Sequence, residues 1–375
     1  IERTERENGV KVDLLLICGD FQAVRHLSDL ACMACPDKYL DMNSFYKYYS
    51  GESRAPVPTI FIGGNHEASN HLYELFHGGW VAPNIYYLGH AGVVRFRGLR
   101  IAGLSGIYKS EDFLHNHSER PPYHRGSMRS AYHVREVDML RLLQLREPVD
   151  ICLSHDWPRG IAWHGDTADL FRRKGFLQGE VEDNSLGSLP ADLLLRALQP
   201  RFWFSAHLHV HYPAFVRHGG GKATRFLALD KCLPRGGYLQ FVSIPDPEPG
   251  TPGAASEGIC FDPEWLAIMR KTHQLLDPSD MPLCIAGYVA SLPPKPAAPD
   301  ETPAGQQAGP RRMPPVREAM GGERALLQRL HDQRRADWDW AEAILIGREF
   351  AVGPEEVAAA ASDMARAVAE FGNAR

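Results

Sequence analysis

Four short apolar runs, each followed at once by polar residues, constrain the fold of this chain more than any other feature. The runs and their polar ends read VDLLLICGD, PTIFIGGNHE, VDICLSHDWP and RFWFSAHLHV, between positions 12 and 210. Each run is rich in β-branched or aromatic residues and apolar on both faces, which indicates a strand buried between two layers. Helical patterns at 134–145 and 191–198 alternate with them. The sequence therefore predicts a layered α/β domain whose polar strand ends gather where such sheets bind ligands.

Composition excludes several functional classes. The net charge is −5 over 375 residues, so any contact with nucleic acid has to be local. Cys32 and Cys35 form a CxxC pair, but no second CxxC follows at zinc-finger spacing, and the seven scattered cysteines are typical of a reducing compartment. No apolar run reaches the length needed to span a bilayer, so we expect no membrane association.

The last third of the chain differs from the rest. Residues 246–260 are rich in proline, glycine, alanine and serine and predict a linker after a first domain at 1–245. A helical pattern follows at 261–276, with Pro263 near its start. Residues 290–322 predict a disordered Pro/Ala/Gly insert. Further helical patterns at 323–345 and 354–371 predict a small, mostly helical C-terminal domain over 261–375.

The polar residues at the four strand ends are of metal-ligating types. Asp20 offers a carboxylate that can bridge two cations, Asn65 an amide oxygen and His155 an imidazole. His207 and His209 share one face if the chain is extended there. A mixed set of this kind suits Zn²⁺, Mn²⁺ or Fe²⁺. Two such cations about 3.5–4 Å apart clamp a phosphodiester and lower the pKa of a bridging water.

His66, beside Asn65, is available for another task. A histidine that titrates near neutral pH can stabilise charge on the phosphorus in the transition state or protonate the leaving alkoxide. Taken singly, each of these histidines is more often a packed or surface residue, and Asp20 could be a helix N-cap. All four motifs at strand ends, in this order, favour metal binding.

The order GD, GNHE, H and HxH resembles the calcineurin-like metallophosphoesterase superfamily, and the surrounding sequence is closer still to the RNA lariat debranching enzymes. The segments GDFQAVR, MNSFYKYYSGE, PTIFIGGNHEASNHL, GGWVAPNIYYLG, LSHDWPRGI, FSAHLHV and FLALDKCLP carry this similarity. The part from residue 261 resembles the family more loosely. The resemblance implies a metallophosphoesterase β-sandwich flanked by helices over 1–245, with a lariat debranching C-terminal domain packed alongside.

The same resemblance implies an activity and roles for the site residues. The activity is hydrolysis of the 2′–5′ phosphodiester bond at the branch point of excised intron lariats, in the nucleus, with branched RNA as the partner and no obligate protein partner. Asp20 corresponds to the bridging ligand of two divalent cations (Fe²⁺, Zn²⁺ or Mn²⁺), and His209 to a ligand of one of them. Asn65, His155 and His207 correspond to ligands of the other, and His66 to the acid or transition-state stabiliser.

Residues 104–135 interleave basic and aromatic side chains. Cations neutralise phosphates and rings stack on splayed bases, so this composition is compatible with RNA contact but does not by itself exclude a bland surface loop. The stretch coincides with the lariat recognition loop of the debranching family, at about 105–135. The predicted substrate-binding residues are Lys109, Arg120, Tyr123, Arg125, Arg129 and Tyr132.

The family also carries a first motif, a GCxHG-type turn whose Cys and His bind the second metal, upstream of the position where this sequence begins. We therefore expect weak or no debranching activity from the chain as written, and rescue when the upstream segment is restored. Two alternatives stay open: a non-catalytic, metallophosphoesterase-like RNA-binding scaffold, and a phosphodiesterase of other specificity.

Overall fold

The computed structural model describes residues 1–233, 236–245, 258–273 and the single positions 247, 251, 254 and 256. The predictions for 274–375, which include the insert at 290–322 and most of the C-terminal domain, lie outside these residues. In the described part, two β-sheets pack face to face between layers of helices, which confirms the predicted α/β class.

The strands of the described residues are, in chain order, β1 (Leu15–Cys18), β2 (Thr59–Ile62), β3 (Gly79–Ala82), β4 (Ile85–Tyr87), β5 (Ala91–Phe96), β6 (Leu99–Leu104), β7 (Ile151–Ser154), β8 (Phe202–Ser205), β9 (Tyr212–Arg217), β10 (Ala223–Ala228) and β11 (Ile259–Phe261). The α-helices of the same residues are α1 (Glu2–Asn8), α2 (Leu27–Leu30), α3 (Phe45–Tyr49), α4 (Ser69–Glu74), α5 (Ser110–Phe113), α6 (Arg125–Ser130), α7 (Glu136–Leu143), α8 (Thr167–Arg173), α9 (Gln178–Glu182), α10 (Leu189–Leu198) and α11 (Pro263–Lys271). None of these helices is long and apolar enough to cross a bilayer.

The sheet topology brings the four predicted strand ends to the same side of the molecule. The smaller sheet has the order β1-β2-β4-β3, and the larger has the order β11-β5-β6-β7-β8-β10-β9. Strands β1 and β2 run parallel, with Cys18 opposite Ile62. Strands β6, β7 and β8 also run parallel, with Leu104 opposite Ser154. Because the carboxyl ends of parallel strands lie at one edge of a sheet, the loops that follow β1, β2, β7 and β8 form two facing rows.

The four sequence runs carry apolar residues on both faces because both faces of each sheet are covered. Between the sheets, Ile60 and Ile62 of β2 pack in one cluster with Leu153 of β7. On the outer face of the smaller sheet, the ring of Phe61 lies 4.4 Å from that of Phe21. The outer face of the larger sheet buries Trp203 against helices α7 and α10. Burial on both sides is the physical reason why these strands lack the alternation of a half-exposed strand.

Some element boundaries differ from the sequence predictions, and the capping residues give the reason. Helix α10 begins at residue 189 because the Ser188 hydroxyl accepts a hydrogen bond from the Ala191 backbone N–H, at 3.2 Å. The helix predicted at 261–276 begins only at residue 263, since Asp262 accepts from the Trp265 N–H at 2.9 Å. Residues 259–261 instead form β11, which pairs with β5, so the predicted linker to residue 260 extends too far.

A buried ion cluster fastens α11 to the larger sheet. Asp262 contacts both Arg95 and Arg100, each at 2.8 Å, and Glu264 lies 2.6 Å from Arg100. Burial works to raise the pKa of Asp262, but its hydrogen bond and charge contact with Arg100 hold that pKa below its usual value. The carboxylate therefore adds stability that is present above its unfolded pKa and is lost as the pH falls through the folded value.

We expect Asp262→Asn to lower the free energy of unfolding by about 3 kcal/mol, because two buried guanidinium groups lose their shared counter-charge. The asparagine still offers an oxygen to the Trp265 N–H, so the cap is retained. Urea unfolding followed by circular dichroism measures the change. The matched control is Glu7→Gln, which breaks an exposed pair with Arg3 and is expected to cost less than about 1 kcal/mol. Equal losses in the two variants would contradict the prediction.

Candidate metal centre

Hydrogen bonds between strand ends join the two sheets at the predicted site. The Gly63 N–H, after β2, donates to the Ser105 hydroxyl, after β6, at 2.9 Å. The Gly106 N–H donates back to the Gly63 carbonyl at 2.8 Å. Nδ1 of His155, after β7, lies 2.7 Å from the Cys18 carbonyl oxygen at the end of β1. The two rows of loops therefore meet edge to edge. We call this line of contact, between the loops after β1 and β2 and those after β6 and β7, the seam, and the predicted ligands lie along it.

Three acceptor atoms converge at this seam. Since a carbonyl oxygen only accepts, Nδ1 of His155 donates to it, and the imidazole tautomer with its proton on Nδ1 offers a lone pair at Nε2. That Nε2 lies 3.0 Å from Asn65 Oδ1 and 3.5 Å from Asp20 Oδ1. Lone pairs on these three atoms repel one another unless a second proton on His155 or a cation lies between them. A ligand histidine commonly donates its other ring N–H to a backbone carbonyl, so this donor set fits a divalent cation.

The charge state of Asp20 also suits a cation. Burial works to raise its pKa, but the charges of His155 and His66, together with the His66 backbone N–H, hold the pKa below its usual value. That N–H donates to Asp20 Oδ1 at 2.9 Å. The alternative role as a helix N-cap is wrong, since the helix that follows Asp20 in the chain, α2, has His26 at its N-cap position.

The two histidines after β8 reach the seam differently from the prediction. The chain is not extended there, because His207 and His209 adopt left-handed backbone conformations, with φ of 58° and 52°. The strand ends at Ser205, and a turn rather than a strand pleat directs both side chains. The centre of the His207 ring lies 5.0 Å from that of His155. His209 is half-buried, and Lys231 and Asp20 both act on its charge.

Burial and the neighbouring His155 lower the pKa of His207 to about 3. Burial and then Lys231 lower the pKa of His209 as well. Both rings are therefore neutral at physiological pH, the form in which an imidazole can bind a metal.

The side chain of His66 points away from these acceptors. Its Nδ1 lies 3.1 Å from the Ala34 carbonyl, to which it donates, and its Nε2 lies 3.1 Å from Asn65 Nδ2. Asn65 therefore donates to His66 through its amide nitrogen and presents its oxygen to His155. The arrangement separates His66 from the ligand set and also fixes which end of the Asn65 amide faces the site.

Glu67 ends the GNHE motif, and the sequence pattern alone indicates no role for it. It is buried, and its carboxylate accepts backbone hydrogen bonds from Phe21 at 2.9 Å, Gln22 at 2.8 Å and Gly64 at 2.9 Å. Burial and the charge of Asp20 raise its pKa to about 7. Glu67 thus ties the loop after β1 to the loop after β2. Its position directly after the predicted ligands was the only sequence signal available.

Two glycines leave room for the ligands. A Cβ atom on Gly64 would lie 2.2 Å from Asp20 Oδ1, and one on Gly19 would lie 2.3 Å from His155 Nδ1. Gly19 also has φ of 95°, a conformation that side chains rarely adopt. Glycine at both positions is therefore a packing requirement of the site.

The predicted substrate-binding residues fall into two groups. Lys109, Arg125 and Arg129 are exposed on the loop over residues 105–135. Arg120 is exposed too, but it donates to two carbonyl oxygens of its own loop and lies 4.9 Å from the ring of Tyr73.

The other group consists of two half-buried tyrosines. Tyr123 and Tyr132 line a cavity of about 30 Å³ together with Gly64 and Glu67. Burial raises the pKa of Tyr132, and the charge of Asp20 acts in the same direction. The tyrosines therefore belong to the region of the candidate centre, whereas the four cations lie on the outer surface of the loop.

Comparison with known families identifies the class of protein that this fold and site define. Residues 2–211 match the sequence profile described as calcineurin-like phosphoesterase, which is more than half of the 375 residues. The chain belongs to the calcineurin-like phosphoesterase family, as its sequence predicted. Members of this family use divalent metal ions, in agreement with the donor set at the seam.

Within that family, the chain is similar to lariat debranching enzymes. It is 57% identical to the lariat debranching enzyme of Danio rerio over 284 residues, which is 74% of this chain and 49% of the relative. The enzyme of Homo sapiens is 54% identical over 279 residues, 73% of this chain and 50% of the relative. For Arabidopsis thaliana the identity is 54% over 276 residues, 73% of this chain and 65% of the relative.

The chain thus spans about half the length of the first of these relatives. Residues 221–307 match the profile described as lariat debranching enzyme, C-terminal domain.

We expect Gly64→Ala to weaken divalent-metal binding and to lower the free energy of unfolding by about 1–3 kcal/mol, because the added methyl group overlaps Asp20. Elemental analysis after dialysis against Mn²⁺ measures the first effect, and urea unfolding the second. The matched control is Gly175→Ala, where a Cβ atom meets nothing within 4 Å. A Gly64 variant that binds metal as well as this control would show that the close approach is not required.

Proposed function

We propose that this chain acts on branched RNA and hydrolyses the 2′–5′ phosphodiester bond at the branch point of excised intron lariats. The observation that carries the proposal is the convergence of acceptor atoms from Asp20, Asn65 and His155. It occurs in a chain 54–57% identical to proteins named lariat debranching enzyme. We infer nuclear residence from the substrate, since lariats form where introns are excised.

Divalent cations would be held by Asp20, Asn65, His155 and His207 at one position, with Asp20 shared and His209 contributing at a second. A set of neutral imidazoles with one carboxylate and one amide oxygen favours Zn²⁺, Mn²⁺ or Fe²⁺ over Mg²⁺ or Ca²⁺. Bound there, such cations lower the pKa of water and neutralise charge on the phosphodiester. The protein supplies a fixed carboxylate, neutral rings and a seam that holds them together.

His66 has two tasks in this proposal. Its hydrogen bond to Asn65 orients the amide oxygen toward the ligand set. Its imidazole lies beside that ligand set without belonging to it, and a histidine there can donate a proton to the leaving alkoxide or stabilise charge on the phosphorus. Proton donation requires Nε2 to be protonated, which displaces the hydrogen bond from Asn65.

The loop over residues 105–135 supplies the affinity for RNA. Its exposed cations Lys109, Arg125 and Arg129 are free to meet phosphates, and each neutralised phosphate adds salt-dependent affinity. Tyr123 and Tyr132 line the cavity that Gly64 also lines, and tyrosine rings are able to stack on an unstacked base. A phosphatase of small molecules has no use for this combination, which favours RNA over other phosphodiesters.

The test compares three labelled substrates: a branched RNA with one 2′–5′ bond, a linear 3′–5′ RNA of equal length, and a chromogenic phosphodiester. We expect tighter binding of the branched RNA and, whatever the rate, cleavage confined to its 2′–5′ bond in the presence of Mn²⁺. Preference for the linear or chromogenic substrate would overturn the proposal in favour of another phosphodiesterase. Binding of branched RNA without any cleavage of it would favour the scaffold function.

We expect His66→Ala to lower turnover of branched RNA by about 10²- to 10⁴-fold, the usual contribution of general acid–base catalysis, with metal content largely retained. Asn65→Ala and His207→Ala are expected to lower metal occupancy instead, because each loses a ligand atom. Elemental analysis and cleavage rates, both relative to the unaltered chain, separate the two effects. A His66 variant that loses metal while the Asn65 variant keeps it would reverse these assignments.

A further inference from the structure

A second group of potential metal ligands lies beneath the same loop and shares no residue with the site above. One ligand atom from each of His90, His117 and Asp138 lies within 4.8 Å of the other two. The three side chains come from separate segments. His90 lies between β4 and β5, His117 lies in the loop between α5 and α6, and Asp138 lies in the first turn of α7. A ligand at this point therefore joins the loop to the sheet and to a helix.

The geometry of the group is compact. Nε2 of His117 lies 2.7 Å from Oδ2 of Asp138, and the ring centres of His90 and His117 are 4.2 Å apart. The ring of Phe76 packs against both imidazoles, at 4.6 Å from His90 and 5.0 Å from His117. His117 and Asp138 are buried, and His90 is half-buried, so His90 is the most accessible of the three.

The protonation states suit a cation. Burial, and then the neighbouring His117, hold the pKa of His90 well below its usual value, so its ring is neutral. Burial works to raise the pKa of Asp138, but His117 outweighs it and the pKa is lowered to about 2. The group therefore presents a carboxylate and an imidazole lone pair side by side.

A simple ion pair between His117 and Asp138 accounts for only two of the three residues. Neither ring nitrogen of His90 makes a hydrogen bond within the described part of the chain, although the ring lies against a carboxylate–imidazole pair. Two imidazoles and one carboxylate, with a fourth position open to water, are a ligand set typical of Zn²⁺.

We propose that His90, His117 and Asp138 bind a divalent cation of the Zn²⁺ class, which fastens the loop over residues 105–135 to the sheet and to α7. Two direct contacts already hold the ends of the region that surrounds His117. Nδ1 of His133 lies 2.5 Å from Asp112, and Arg135 lies 2.5 Å from Glu119. The cation adds an anchor between them, at the level of the cavity that Tyr123 and Tyr132 line.

This site is independent of the proposed reaction, and its test is a binding measurement. Equilibrium dialysis against Zn²⁺, in a chain that carries His207→Ala to weaken the seam site, gives the bound zinc per chain. We expect His117→Ala and Asp138→Asn to lower the affinity of the remaining site by more than about 100-fold, beyond the effect of removing an outer-shell partner. The matched control is His115→Ala, on the same loop and outside the group, which is expected to retain the zinc. Equal zinc content in all these variants would overturn the proposal.

Hydrogen exchange gives a second readout. Zinc is expected to slow exchange of the backbone amides at 114–124 in the parent chain and in His115→Ala, but not in His117→Ala. Where a variant fails to fold, crystals of the unaltered chain grown with ZnCl₂ decide the question through anomalous scattering at the zinc edge. A peak about 2.0–2.2 Å from the ligand atoms of the three residues supports the site. A map with no peak there, or with a peak only at the seam, overturns it.

Discussion

The carboxylate of Glu67 is the interaction on which the candidate centre depends. It accepts backbone hydrogen bonds from Phe21, Gln22 and Gly64 and so holds the loop after β1 against the loop after β2. Asp20 and Gln22 pass through left-handed conformations, with φ of 52° and 57°, which cost free energy at non-glycine residues. Buried hydrogen bonds to a charged group contribute about 1.5–3 kcal/mol each and offset that cost. Glu67 thereby holds the backbone next to Asp20, whose carboxylate is also held by the His66 N–H.

Electrostatics link the seam to the loop above it. At the seam, His155, Asn65 and Asp20 present acceptors to one another. A second group, formed by His90 and the His117–Asp138 pair, has its three potential ligand atoms within 4.8 Å of one another. His90 and His117 line the same cavity as Gly64, which is the neighbour of Asn65 in the chain.

Sequence patterns predicted the elements built from local periodicity and missed those that depend on capping or pairing. Four strands fall within the predicted runs; β2, β7 and β8 are largely buried, which leaves a clear apolar signature, and β1 is half-buried. Phe261 carries a helix-like pattern but belongs to β11, since pairing with β5 outweighs local propensity. The backbone at His207 and His209 forms a turn, because both residues have positive φ, instead of the predicted extended chain. Hydrophobic periodicity carries no information about φ at single residues.

The sequence by itself determined the fold class, the four strand ends and the identity of the ligand types, since these follow from short-range pattern and from residue chemistry. Only the tertiary structure decided how the ligands meet. Cys18 and His155 lie 137 positions apart in the chain, yet one hydrogen bond between them sets the tautomer of the ligand ring. The role of Glu67 and the grouping of His90 with His117 and Asp138 likewise depend on loops brought together by sheet packing. Residues distant in sequence interact only after the sheets have packed, so no local pattern encodes them.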